Sequence, residues 1–172
     1  IVLNLGNHDD RSSFRSAFES YRFPESPVVE KHATVMDAGP VRWFLLDSLE
    51  KVNVTPGNLG EEQLAWLDKQ LTAHSDKPAL VMAHHNVDVG KILATSDVVA
   101  ELAGNRIPVP GLTDSDRLLE ILRSHRHVSA YFCGHTHQWN VLRWEGIHLV
   151  NLPCVAYPFT PKDPSGWVVA KS

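Results

Sequence analysis

The chain has 172 residues, of which 43% are hydrophobic and 21% are charged, and its formal net charge is -4. These values are typical of one globular domain with a buried core, and two cysteines are too few for a disulfide framework. The weakly acidic charge gives no electrostatic signal for nucleic acid, and no apolar run approaches the about 20 residues that cross a bilayer.

The predicted elements begin with an apolar strand over residues 1–5, which runs into a polar turn at 6–9. Because the chain starts without a methionine and inside this strand, we expect it to be the C-terminal part of a longer chain. We expect a cytoplasmic protein, with any targeting segment in the upstream part. A short helix is predicted over 12–21, where apolar side chains recur at spacings of three and four.

The middle of the chain alternates strands with a helix. Two strands are predicted at 35–37 and 41–46, and the Gly-Pro pair between them favours a hairpin. The clearest helix is predicted over 61–74, because leucines recur along one face and acidic residues occupy the first turn. A buried strand over 78–83 then runs directly into a pair of histidines at 84–85.

The second half continues this pattern after a long loop, predicted at 86–112. An amphipathic helix follows at 114–124 with Thr113 as its cap, and a buried strand at 128–133 ends in the polar segment 134–137. The tail is predicted to supply the strands of an antiparallel closing element, at 139–144, 146–151 and 166–170.

Polar clusters follow three of these strands, at 7–9, 84–85 and 134–137, where open α/β sheets bind ligands. Residues 7–9 also suit an ordinary turn, and 84–85 suit one core and one exposed histidine. His135 and His137 favour a metal site, because residues two apart on a strand share a face. The remaining histidines are expected at the surface or at helix ends: His32, His74, His125, His127 and His148.

The three clusters in this order resemble a known family. Gly-Asn-His-Asp at 6–9, His84 after an apolar strand and Gly-His-Thr-His at 134–137 are similar to the last three signature blocks of the calcineurin-like metallophosphoesterases. Leu-Asp-Ser at 46–48 and the segment 63–67 resemble the branch that contains bacterial cyclic-nucleotide phosphodiesterases and glycerophosphodiesterases. The family's two earlier blocks, Asp-x-His and Gly-Asp-x-x-Asp, do not occur in this sequence.

The resemblance implies an α/β fold, the C-terminal portion of a four-layer α/β/β/α sandwich that lacks its first strands. The whole chain would form the C-terminal part of one metallophosphoesterase domain. Asn7, His84 and His135 would bind one metal ion, His137 would bind a second, and His85 would support the ligands from behind. Imidazole and amide ligands together with carboxylates suit Fe, Mn, Zn or Co.

The resemblance also implies roles for two residues that are not ligands. His8 would face the scissile phosphate, and Asp9 would pair with it and orient its ring. Two metal ions would clamp the ester while a metal-bound hydroxide attacks phosphorus in line. The long loop at 86–112 would face the substrate.

The expected function is therefore metal-dependent hydrolysis of small phosphate esters, foremost by a phosphodiesterase. A phosphomonoesterase using the same site and a non-catalytic scaffold of the same fold are the alternatives. Without the bridging Asp and the Asp-x-His block, residues 1–172 alone are expected to bind one metal ion weakly or none and to be inactive. A sheet edge left by missing strands predicts association between copies of the chain.

Overall fold

A six-stranded mixed sheet organises the protein. The computed structural model describes residues 2–21, 23, 25–88, 110–159 and 161–170. The helices are α1 (Arg11–Ala17), α2 (Glu61–Ala73) and α3 (Ser115–Ser124). The strands are β1 (Thr34–Ala38), β2 (Val41–Leu45), β3 (Ala79–Met82), β4 (Val128–Cys133), β5 (Asn140–Trp144) and β6 (Ile147–Asn151).

The order of strands in the sheet is β1-β2-β3-β4-β6-β5. The four inner strands run parallel to one another, whereas β1 and β5 lie antiparallel at the two edges. The predicted hairpin is confirmed, and Gly39 takes the left-handed conformation in its two-residue turn, with φ of 61°. Because the inner strands are parallel, the segments that follow β2, β3, β4 and β6 all leave the sheet at one edge.

Helices α2 and α3 pack together on one face of this sheet. The leucines at spacings of three and four on α2, Leu64, Leu67 and Leu71, are at most 2% exposed. They meet core side chains such as Phe44 and Tyr131, which point to the same face of the sheet. Full burial contributes about 2 kcal/mol for each such leucine, so this face holds the strands in place.

The opposite face of the sheet is covered less well. Trp43, Leu80, Met82 and Phe132 point to this side and remain half-buried, and the rings of Trp43 and Phe132 pack with centroids 5.1 Å apart. The expected mixed α/β class is confirmed. The part of the chain that is described builds one sheet, so the second sheet of a four-layer sandwich stays a prediction.

Two predicted strands do not form. Residues 2–5 and 166–170 are not strands, because each lacks a neighbouring strand with which to exchange backbone hydrogen bonds among the described residues. Leu5 is nevertheless buried, so its apolar character reports a core position and not a strand. Helix α1 is shorter than predicted, and the Asp10 side chain accepts from Ser13 N at its start.

Local hydrogen bonds correct two further expectations. The residue that precedes α3 is Asp114 and not Thr113, and its carboxylate accepts the backbone N–H of Leu59 and of Gly60 at the start of α2. His32 is buried and not at the surface, and its Nε2 lies 3.3 Å from Leu3 O.

Residues 89–109 of the long loop expected at 86–112 lie outside the described residues. Within the described ranges, no helix has the length and apolar character needed to cross a membrane.

Candidate metal centre

Adjacent parallel strands bring two of the polar clusters together. His84 and His85 follow β3, and Gly134 to His137 follow β4, its neighbour in the sheet. The backbone N–H groups of Gly134 and His135 both donate to His84 O, each at 3.0 Å. The two turns are therefore joined by backbone hydrogen bonds, which fix the spacing of the side chains they carry.

The third cluster is attached through the end of β2. Asp47, which is fully buried, accepts from Arg11 Nε at 2.7 Å and from Arg11 Nη2 at 3.1 Å. Its carboxylate also accepts from the backbone N–H of His32 at 2.8 Å and of Leu49 at 2.9 Å. Arg11 lies just after the turn at 6–9, so this partly buried ion pair holds that turn against the sheet.

The three turns place four polar side chains around one point. The ligand atoms of His84, His85 and His135, which we call the histidine cluster, lie within 4.8 Å of one another. His84 Nε2 lies 3.0 Å from Asn7 Oδ1 and 3.1 Å from His135 Nδ1. Amide oxygen and imidazole nitrogen are both ligands of transition-metal ions, so this arrangement can hold one ion.

The protonation of the histidine cluster suits a cation. Burial lowers the pKa of His84 to about 3, and the neighbouring imidazoles His85 and His135 add to the shift. Burial is also the main cause that lowers the pKa of His85 and of His135 to about 4. Near pH 7 the three rings are therefore neutral, which is the state in which imidazole binds a metal ion.

Unpaired buried nitrogens point to the same conclusion. Among the described residues, the Nε2 atoms of His85 and His135 are buried and have no partner at hydrogen-bond geometry. Leaving a buried polar atom without a partner costs about 1–3 kcal/mol, so native structures usually provide one. These unsatisfied nitrogens lie in a cluster of neutral imidazoles where His84 Nε2 meets Asn7 Oδ1 and His135 Nδ1, so the residues present fit a bound metal ion.

His85 is held from behind by the end of β2 and by β4. Its Nδ1 lies 2.8 Å from Ser48 Oγ, and its backbone carbonyl accepts from Tyr131 Oη at 2.6 Å. Gly57 lies against the ring so closely that a Cβ atom at this position would overlap it. The ring is thus immobilised 4.4 Å from the ring of His135, measured between centroids.

The turn at 6–9 presents His8 to solvent and turns Asp9 back onto the backbone. Asp9 Oδ2 accepts from Gly6 N at 2.7 Å. His8 is exposed, and its Nδ1 lies 2.8 Å from Asn53 Oδ1. The partner of the His8 ring is therefore Asn53 and not Asp9, because the Asp9 side chain closes the turn.

His137 lies outside the histidine cluster. Its φ is 53°, and its ring stacks on Phe159 with centroids 4.2 Å apart. Its Nδ1 lies 2.8 Å from Tyr157 O, which accepts the hydrogen on that nitrogen. The alternation expected to align His135 with His137 stops where β4 ends, at Cys133, although His137 stays near enough to help lower the pKa of His135.

Sequence reasoning identified the convergence of Asn7, His84 and His135 but missed the residues that hold the site in place. Asp47 and Ser48 lie in the Leu-Asp-Ser segment, whose family resemblance implies no role for them, and the fold shows that they contact Arg11 and His85. Asn53 stands in a polar loop without any pattern that would single it out.

Comparison with known proteins identifies a matching family and several relatives of similar sequence. Residues 1–139 match the family described as calcineurin-like phosphoesterase. The chain is 33% identical over 144 residues to a probable glycerophosphodiester phosphodiesterase of Arcobacter nitrofigilis, covering 83% of this chain and 47% of that protein. It is 28% identical over 160 residues to a 3',5'-cyclic adenosine monophosphate phosphodiesterase of Vibrio vulnificus, covering 92% and 51%.

A solved structure shares the fold. A dimetal phosphatase from Danio rerio superposes with a TM-score of 0.58 at 19% identity, covering 81% of this chain and 56% of that one. The chain spans about half the length of the two curated relatives, 47% and 51%.

Proposed function

The chain belongs to the calcineurin-like phosphoesterase family, and from this we propose that it supplies the histidine-rich half of a metal centre that hydrolyses phosphate esters. One observation carries the proposal: His84 Nε2 lies 3.0 Å from Asn7 Oδ1 and 3.1 Å from His135 Nδ1, among imidazoles that are neutral near pH 7. An amide oxygen and neutral imidazoles meeting at one point are a ligand set for Fe, Mn, Zn or Co.

Asn7, His84 and His135 would hold one ion of a dinuclear centre, with His85 supporting them. The hydrogen bond from His137 Nδ1 to Tyr157 O leaves Nε2 of that ring with a lone pair, and such support orients imidazole ligands in metal sites. His137 would therefore contribute to the second ion. Bound divalent ions would polarise the ester and lower the pKa of water.

His8 and Asp9 would act on the substrate side of the ligands. The exposed His8 ring can meet a phosphate and exchange a proton with the leaving oxygen through Nε2. Asp9 holds the turn that presents this ring, since its carboxylate accepts from Gly6 N. The role of Asp9 is therefore to shape the turn.

We propose small phosphodiesters as the substrate class, because two similar proteins carry phosphodiesterase names. The gene product in its full length should hydrolyse bis-(p-nitrophenyl) phosphate with added Mn²⁺ or Zn²⁺, and His84→Ala should abolish this. His148→Ala, on the exposed side of β6, is the matched control. A preference for p-nitrophenyl phosphate would indicate a monoesterase, and metal binding without hydrolysis of either ester would indicate a scaffold.

We further propose that residues 1–172 are the C-terminal part of one domain whose remaining layers complete the site. The half-buried apolar face around Trp43 and Phe132 is suited to a covering layer, and the chain spans about half of its relatives' length. Residues 1–172 with added metal ions should therefore show no turnover, and full activity would refute this.

Copies of the chain would associate through the edge strands β1 and β5, whose outer backbone groups have no strand partner within the described ranges. Light scattering at increasing concentration should show a rise in mass, whereas a constant monomer mass would contradict association.

A further inference from the structure

Asn53 contacts the turn at 6–9 at two successive residues. Its backbone N–H donates to Asn7 O at 2.7 Å, and its side-chain Oδ1 lies 2.8 Å from His8 Nδ1. The first contact fixes the residue that would bind metal, and the second fixes the ring beside it. Asn53 lies 45 residues away in sequence from His8, so only the fold brings them together.

The chemistry of the second contact determines which nitrogen of His8 faces outward. A carboxamide oxygen accepts hydrogen bonds and cannot donate, so the hydrogen of a neutral His8 ring stays on Nδ1. Nε2 then carries the free lone pair and points away from the loop that holds Asn53. We propose that Asn53 is a positioning residue, which fixes the tautomer and direction of the His8 ring so that Nε2 faces the phosphate, where it can take up a proton from water and pass it to the leaving oxygen.

The backbone of Asn53 is adapted to this task. Its φ is 63°, in the left-handed region, which asparagine tolerates better than most residues other than glycine. A single exposed hydrogen bond contributes only about 0.5–1.5 kcal/mol and would hold the ring poorly by itself. The backbone hydrogen bond from Asn53 N to Asn7 O already holds the Asn53 carboxamide next to the His8 ring. The side-chain contact therefore has fewer conformations of Asn53 left to restrict.

The tautomer can be measured without catalysis on the 172-residue chain. The ¹⁵N shifts of the ring nitrogens at pH 8.5, assigned with His8→Ala, should show hydrogen on Nδ1 of His8. Asn53→Gly keeps the left-handed backbone and removes the acceptor, so His8 should move toward the Nε2–H form that free imidazole side chains favour. Asn53→Asp retains an acceptor and should retain the Nδ1–H form.

The matched control is Asn58→Ala, which removes one asparagine hydrogen bond, to Thr113 Oγ1, from the same loop. It should leave the His8 shifts unchanged. An Nε2–H signal in the unmodified chain, or the same His8 tautomer in Asn53→Gly as in the unmodified chain, would overturn the proposal.

The consequence for catalysis rests on the proposed function. In the full-length gene product, Asn53→Gly should lower kcat about ten-fold with little change in KM, because the direction of the nitrogen that takes up and releases the proton matters mainly in the transition state. Asn53→Asp should restore most of the rate. An inactive parent protein would refute the proposed function and leave the tautomer result standing, whereas an unchanged kcat in Asn53→Gly would refute the positioning role alone.

Discussion

Replacing Asp47 by asparagine tests whether the buried carboxylate at the end of β2 holds the site together. Oδ2 accepts from Arg11 Nε and His32 N, and Oδ1 accepts from Arg11 Nη2 and Leu49 N. Asparagine has nearly the same volume, so no cavity forms. It replaces one oxygen with an NH2 group, and in either orientation two of the four donors then face another donor.

The expected loss of stability follows from those two donors. Each buried donor left without an acceptor costs about 1–3 kcal/mol. In either orientation one of these donors belongs to Arg11, whose side chain is 25% exposed and can recruit water, and the other is an enclosed backbone N–H, of His32 or of Leu49. We therefore expect Asp47→Asn to lower the free energy of unfolding by about 3 kcal/mol, or roughly 6–12 °C in Tm for a chain of this size.

Urea unfolding followed by circular dichroism measures this loss, and Asp37→Asn is the matched control. Asp37 also contacts two cations, Arg42 and Lys77, but its side chain is 48% exposed, so its replacement should leave the urea midpoint nearly unchanged. Equal midpoints for the two variants would refute the argument that burial makes the Asp47 contacts important. A double-mutant cycle with Arg11→Ala would isolate the ion pair.

Three further predictions concern the histidine cluster. The folded chain keeps these rings neutral, whereas the unfolded chain protonates them below about pH 6.5. The metal-free chain should therefore lose stability as pH falls from about 6.5 toward 4. The loss amounts to at most about 1.4 kcal/mol for each ring and each pH unit. A urea midpoint that is constant between pH 7 and 4.5 would contradict this. Titration calorimetry with Zn²⁺ should detect weak binding to the chain that His84→Ala removes and His148→Ala retains; equal binding by both variants would place the metal elsewhere. Gly57→Ala should displace the His85 ring and weaken that binding, and an unchanged Zn²⁺ affinity together with unchanged stability would show that the overlap is relieved elsewhere.

Local sequence patterns predicted much of the fold. The spacing of leucines identified α2, short apolar runs identified the inner strands, and the Gly-Pro pair identified the hairpin, because each of these patterns acts within a local element. The order of polar clusters predicted that Asn7, His84 and His135 would meet. The reason holds for His84 and His135, since the parallel strands β3 and β4 end at one edge of the sheet, whereas Asn7 reaches the same point without a strand before it.

The same patterns failed where an outcome depended on a distant partner. Residues 2–5 are apolar enough for a strand but have no strand beside them in the part of the chain that is described. His32 is buried because Phe14 and Phe23 pack on its ring, 5.7 and 5.1 Å away between centroids. Neither fact follows from the residues next to it in sequence.

The sequence by itself determined most of the elements, the family resemblance and the candidate ligands, because these depend on residue types and on spacing along the chain. Only the tertiary structure decided how the histidines around the site are supported: Asn53 beside His8, Ser48 behind His85 and Phe159 against His137. The physical reason is that a hydrogen bond or a ring contact depends on distance in space, and these partners lie 45, 37 and 22 residues apart along the chain.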